Sequence, residues 1–357
     1  MGEHRRVQRF DAVKGILELL IVLEHNLLIT SVEPNLRPIV NSFCVGCFML
    51  LTFTREVKNI NAAAYFDKYY RYLVPYFFFL TAATILNYFI FNELPLSEHI
   101  ESYGIALFWQ STTYIKEASG FAFFWFIPCL CFMYFLRFLH LRIGTPFLIF
   151  MALCNLFIGT LHEDILAQFP FGAHVAFFLY FIGCVYQHIH KKFTQDDKFG
   201  FIAFVIFTGL ILLNPYIPPS LLMFAGIMPS IFEISQYTYY FAILLFSYPG
   251  ILYLTRIIPK KVTDALAFCG RYSIWIYLSH QMFYILLVEF LRVSENGPLI
   301  FIITMVLSCL TSIIIDKTPI FKALILPKTL SQFFNDIISI VKSPIKGSIA
   351  LHNRNKV

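Results

Sequence analysis

Residues 298–316 read Pro298-Leu-Ile-Phe-Ile-Ile-Thr-Met-Val-Leu-Ser-Cys-Leu-Thr-Ser-Ile-Ile-Ile-Asp316, with no charge before the last position. A helix needs roughly 20 predominantly apolar residues to cross a bilayer, and this run supplies them. Working outward, nine further runs of the same kind lie near 13–32, 38–54, 69–91, 120–140, 145–161, 171–190, 199–217, 237–256 and 271–291. Composition agrees: the 357 residues are 58% hydrophobic and 13% charged, with 42 Phe and a mean hydropathy of +0.70. A soluble domain carries about twice that charged fraction. These numbers exclude a cytosolic globular enzyme, a secreted disulfide scaffold and a disordered chain.

Backbone groups facing lipid must be paired within their own segment, so each run is expected to be a helix. None shows the alternation of a barrel strand. The expected fold is all-α, a polytopic bundle of about ten transmembrane helices in the lipid bilayer. Segment 1–12 precedes it, the transmembrane domain fills 13–316, and a basic tail covers 317–357. With the N-terminus inside, all but three of the 27 Lys and Arg fall on the cytoplasmic side, the exceptions being Arg37, Lys116 and Arg292. Asp and Glu split evenly, so the bias belongs to the basic residues, as the positive-inside rule requires. Both termini are therefore expected in the cytoplasm, and the basic pI gives no reason to expect nucleic-acid binding. The first run contains Glu18, Glu24 and His25 and has no small-residue cleavage site, so it is expected to be retained as a span. The longest outside segment, about 92–119, is acidic and aromatic and is placed to cover a cavity mouth. A short amphipathic stretch, 329–341, is expected to lie along the anionic inner leaflet.

Ionisable residues inside a span cost about 2.5–3.5 kcal/mol on insertion scales and mark candidate sites. At 100° per residue, Asp11, Lys14, Glu18 and His25 fall in a stripe roughly 60° wide. Lys14 and Glu18 stand at the spacing of a helical ion pair. His25 lies roughly 16 Å further along the axis than Lys14, more than halfway across. Glu24 is rotated off the stripe and needs a partner from another helix. Lys68 and Arg71 share a face at the inner end of the third run, which suits phosphate and is equally what topology alone places there. Arg271-Tyr-Ser-Ile-Trp-Ile-Tyr277-Leu-Ser-His280 brings a second imidazole deep into the membrane. Trp125, in Trp125-Phe-Ile-Pro128, is an interfacial anchor or a stacking surface. The eight Cys lie in or beside apolar runs, and the Cys44/Cys47 and Cys129/Cys131 pairs lack flanking ligands, so no metal is expected.

Phe10-Asp-Ala-Val-Lys14-Gly-Ile16, followed by Leu23-Glu-His25-Asn26, resembles the first-span signature of the membrane acyltransferase-3 family: a basic residue, ten intervening residues, then His. Lys14 followed by Gly is similar to the branch that holds fucose 4-O-acetylase-like and polysaccharide O-acetyltransferase proteins. Lys68-Tyr-Tyr-Arg71, Trp125-Phe-Ile-Pro128 and Tyr277-Leu-Ser-His280 follow in the expected order, so the resemblance spans about residues 8–315. It departs from the pattern where Lys14 and Lys68 replace Arg, which removes the bidentate fork, and where Glu18 and Glu24 appear.

The resemblance implies transfer of an acyl group, usually acetyl, from cytoplasmic acyl-CoA to a hydroxyl of a surface glycan or lipid-linked oligosaccharide. A bacterial inner membrane is the setting it implies. Lys14 and His25 would be the essential pair, with Lys68 and Arg71 holding the donor, acetyl-CoA. The physical reading agrees. CoA phosphates need cations at the inner face, and an imidazole can take the proton of an attacking hydroxyl. Glu18 or Glu24 would orient His25, and His280 is a second candidate for proton transfer. Trp125 and Tyr277 are candidates for substrate contact. The rival reading is a transporter or exporter of a glycan or small metabolite.

Overall fold

The computed structural model describes residues 2–54, 62–90, 95–158, 168–216 and 234–318, with isolated positions between 161 and 165 and between 321 and 338. Among the described residues the structure is helical, with no strand. The expected amphipathic stretch 329–341 lies outside them, apart from isolated positions.

Helix α1 (Gly2–Glu24) enters the bundle and stops at His25. The Asn26 side chain accepts from Ile29 N at 3.3 Å, capping the short α2 (Leu27–Thr30). Then follow α3 (Leu36–Asn41), α4 (Cys44–Leu50), α5 (Ala62–Ile90), α6 (Leu96–Trp109), α7 (Thr112–Ser119), α8 (Phe126–Ile143) and α9 (Thr145–Ile158). The second half comprises α10 (Ala173–Gln195), α11 (Asp197–Leu213), α12 (Ile234–Ile257), α13 (Lys260–Arg271), α14 (Ser273–Ile285) and α15 (Gly297–Lys317). A single wide turn, in which Leu291 N bonds the carbonyl of Leu286, ends the α14 segment. Within the segment 92–119, expected outside from the loop charges, the described residues form α6 and α7.

Among the described residues, six helical stretches are long and apolar enough to cross a membrane: Leu36–Phe53, Tyr65–Ile90, Ala122–Ile143, Pro170–His188, Thr238–Ile257 and Gly297–Lys317. The described parts of the other four expected runs are helical too, as α1, α9, α11 and α14. Asp11, Lys14, Glu18 and Glu24 make α1 too polar for that measure. The described part of α9 has 14 residues and α11 has 17, and α14 continues beyond its 13 residues through the wide turn to Phe290. Large apolar side chains such as Phe89, Phe157, Leu212 and Ile302 stand exposed on the bundle, as on a lipid-facing surface.

The site is positioned by α1, which lies against α4, α12, α13 and α14. Val13, Leu17 and Ile21 are buried in the main core. Its tightest contact is with α13. A Cβ added to Gly15 would overlap the Leu266 carbonyl, and one added to Gly270 would overlap the Asp11 carbonyl. The two backbones meet with no side chain between them, the arrangement that small residues permit in membrane helices. Gln8 also hydrogen-bonds Asp264 across this seam. At the far end, the Asn26 Nδ2 group donates to Gly297 O at 2.9 Å and ties the end of α1 to the start of α15.

Substituting Gly270→Ala is expected to destabilise the bundle by about 1–3 kcal/mol through overpacking. Gly104→Ala, with open space around it, is expected to be neutral or slightly stabilising. Loss of the monodisperse gel-filtration peak on heating in detergent measures both; equal behaviour of the two variants would refute the glycine contact.

Candidate active site

The first helix ends on His25 and α14 carries His280, and the fold brings the two imidazoles together with ring centroids 5.2 Å apart. Phe123 packs on both, at 5.8 Å from His25 and 5.1 Å from His280. Each ring turns the same nitrogen to the backbone. His25 Nδ1 lies 2.9 Å from Ile21 O, and His280 Nδ1 lies 2.8 Å from Tyr277 O and 3.1 Å from Ile276 O. A carbonyl only accepts, so these partners assign the proton to Nδ1 in both rings. Each Nε2 is then left with its lone pair. That of His280 is buried and has no hydrogen-bond partner among the described residues.

Glu24 finds its partners on α3. Its Oε1 accepts from Arg37 Nε at 3.2 Å and from Asn41 Nδ2 at 3.1 Å. Its Oε2 is 3.7 Å from His25 Nδ1, outside hydrogen-bond range, so the Ile21 carbonyl is what holds that nitrogen.

Toward the α1 N-terminal half a cavity of about 590 Å³ opens, lined among others by Lys14, Glu18, Arg71, Arg271, Tyr134 and Tyr277. Lys14 pairs with Asp11 at 2.7 Å and lies over the Phe10 ring. It does not pair with Glu18, contrary to the spacing argument: the i, i+3 carboxylate takes the ammonium. Glu18 is buried, and its Oε1 has no partner among the described residues. The side chain of Lys68 lies outside the described residues. Trp125 is buried beside Gly172 and lines neither this cavity nor the imidazole cleft, although its 3₁₀ turn, Ala122–Trp125, presents Phe123 to both His.

Tyr277 closes the deep end of the cavity. Its hydroxyl donates to the Phe123 carbonyl, and its ring centroid lies 6.0 Å from that of His280. Beyond it, a cleft too narrow for a free water is lined by Val22, His25, Asn26, His280, Tyr284, Phe301 and Thr304. Two lining residues went unrecognised in the sequence. Arg271 opens the motif that ends in His280 and has the signal of a cation at a helix end, yet only folding shows that it faces the cavity of Lys14. Thr304 gives no signal at all, being one hydroxyl in an apolar run. Among the described residues no group of three or more His, Cys, Asp or Glu is placed to hold a metal.

The arrangement is thus a cavity lined by Lys14, Arg71 and Arg271 that reaches Tyr277, whose ring packs on Phe123 and lies near the two imidazoles with their Nε2 lone pairs. Such a constellation can hold a polyanion at one end and remove a proton at the other. Among curated proteins and among solved structures, nothing matches the chain. The family model described as an acyltransferase domain matches residues 7–317, which include every described site residue named above. The chain therefore belongs to the acyltransferase-3 family of membrane acyltransferases.

Proposed function

We propose that the protein is an O-acyltransferase that moves an acetyl group from cytoplasmic acetyl-CoA to a hydroxyl of an extracytoplasmic polysaccharide or its lipid-linked precursor. The observation that carries this reading is the pair of Nδ1-anchored imidazoles behind a cavity rimmed by Lys14, Arg71 and Arg271. Ten crossings with both termini inside a bacterial inner membrane complete the proposal. They put the Lys14 end of α1 at the cytoplasmic face and His25 beyond the bilayer centre.

Lys14, Arg71 and Arg271 bind the donor's phosphates, Lys68 assists from the same helix as Arg71, and the cavity takes the pantetheine arm. His25 Nε2 accepts the proton of the acceptor hydroxyl as that oxygen bonds to the thioester carbonyl carbon. The carbon–sulfur bond then breaks, and the imidazolium returns its proton to the departing thiolate. His280 lies close enough to share that proton. Tyr277 and Phe123 separate cavity from cleft, so their contact must part for a thioester to reach the imidazoles. Glu18 provides a carboxyl in the wall along which the arm lies.

Three strains test the assignment: a deletion, the deletion complemented with the intact gene, and the deletion complemented with His25→Ala at equal level. Proton NMR of purified surface polysaccharide is expected to show ester-linked acetyl only with the intact protein. Unchanged acylation in all three strains overturns the acceptor assignment, and loss of the glycan itself on deletion favours an exporter.

In membranes, Lys14→Ala, Arg71→Ala and Arg271→Ala are each expected to raise KM for acetyl-CoA by about tenfold or more, the scale of one charge-assisted hydrogen bond. The rise should shrink as salt increases. A fall in kcat at unchanged KM for all three would refute their role in holding the donor.

A further inference from the structure

Thr304 lies on α15, buried to 2% exposure, and lines the cleft that holds His25 and His280. A buried threonine in a helix ordinarily gives its hydroxyl proton to a carbonyl one turn back. Ser312 on the same helix does so, bonding Ser308 O at 2.7 Å. Thr304 does not: its Oγ1 has no hydrogen-bond partner among the described residues. Nor does the neighbouring His280 Nε2. Other buried atoms in the bundle also lack a partner among the described residues, Ser308 Oγ on the same helix included. Thr304 Oγ1 and His280 Nε2, however, share one small cleft. Two such atoms together point to a group that completes them when bound.

The other polar groups of the cleft have partners in the helices around it, the Tyr284 hydroxyl at the backbone of Leu27 and Leu28 among them. Both imidazole Nδ1–H groups are spent on backbone carbonyls, so each Nε2 can only accept while the ring is neutral. Asn26 donates through Nδ2 to Gly297 O and accepts through Oδ1 from Ile29 N. Acyl transfer needs a base for the hydroxyl proton and also a donor for the carbonyl oxygen, which gains negative charge when the nucleophile adds. The imidazoles supply the first and cannot supply the second before they are protonated.

Resting on the acyl-transfer reading above, we propose that Thr304 is a further catalytic residue. Its hydroxyl donates a hydrogen bond to the thioester carbonyl oxygen as the acceptor oxygen adds to the carbon, the carbon–sulfur bond still being intact. That bond persists through the tetrahedral intermediate and weakens when the carbonyl reforms and the thiolate leaves with the proton carried by the imidazolium. No proton leaves Thr304 in the cycle.

Thr304→Val keeps the shape and removes the hydroxyl; Thr304→Ser keeps the hydroxyl. In membranes of the complemented deletion strain, transfer of labelled acetyl from acetyl-CoA to the surface glycan gives kcat and KM. The valine variant is expected to lose about 100-fold in kcat, the scale of one oxyanion donor, with KM for acetyl-CoA unchanged. The serine variant is expected to recover most of the rate. His25→Ala combined with Thr304→Val is expected to be no slower than His25→Ala alone, because the two act in one step. Full activity of Thr304→Val, or a loss that serine does not rescue, overturns the Thr304 role while leaving the acyl-transfer reading standing. No transfer by the intact protein overturns both.

Discussion

The close approach of α1 to α13 is the contact on which the rest of the site depends. Gly15 lies against the Leu266 carbonyl and Gly270 against that of Asp11, so the helix axes come nearer than any side chain would allow. In lipid there is little hydrophobic gain from joining helices, and such close packing is what holds them. One consequence is rotational. With Gly15 turned toward α13, Lys14 and Glu18 face the cavity, and Arg271, next to Gly270, arrives at the same cavity from the partner helix. Methyl groups at these two glycines would push apart the walls that carry three of its ionisable residues.

A second constraint follows from the cost of polar atoms away from water. Most of those in the bundle are paired locally: Glu24 by Arg37 and Asn41, Arg137 by the Thr52 carbonyl, His99 by the Thr84 carbonyl. Among the buried side-chain atoms with no partner among the described residues, which also include Tyr76 Oη, Tyr186 Oη, both His174 ring nitrogens and Ser308 Oγ, three lie at the two site cavities. Glu18 Oε1 lies in the wall of the cation-rimmed cavity, and His280 Nε2 and Thr304 Oγ1 lie at the imidazole cleft. Next to both lies the Tyr277–Phe123 contact, and the cleft of the imidazoles is too narrow for a free water.

Much of this was legible in the residues. The apolar runs made the chain a helical membrane bundle, because nothing else satisfies a backbone in lipid. Helical periodicity put Lys14 and His25 on one stripe and marked Glu24 as needing a partner from elsewhere, which Arg37 and Asn41 of α3 provide. The motif order named the family that the match over 7–317 shows. Where the reading went astray, the cause was local competition. Lys14 has carboxylates at both i−3 and i+4, and spacing alone does not rank them; the structure gives the ion to Asp11. Likewise Trp125 sits in a recognisable motif, yet its neighbour Phe123 makes the imidazole contacts, since a 3₁₀ turn rather than an α-helix presents that segment.

The sequence by itself therefore determined the solvent, the helical class and the residues dear enough to a membrane to need a purpose, since each follows from transfer energies and a period of 3.6. Only the tertiary structure decided which of those residues meet. The joining of His25 with His280 across 255 positions, the facing of Arg271 toward Lys14, and the selection of Thr304 from a run of apolar neighbours depend on how helices rotate and cross. Those rotations are set by where two glycines let backbones touch and by which carbonyls remain free to hold an imidazole. Such contacts join residues far apart in the chain, and no local pattern encodes them.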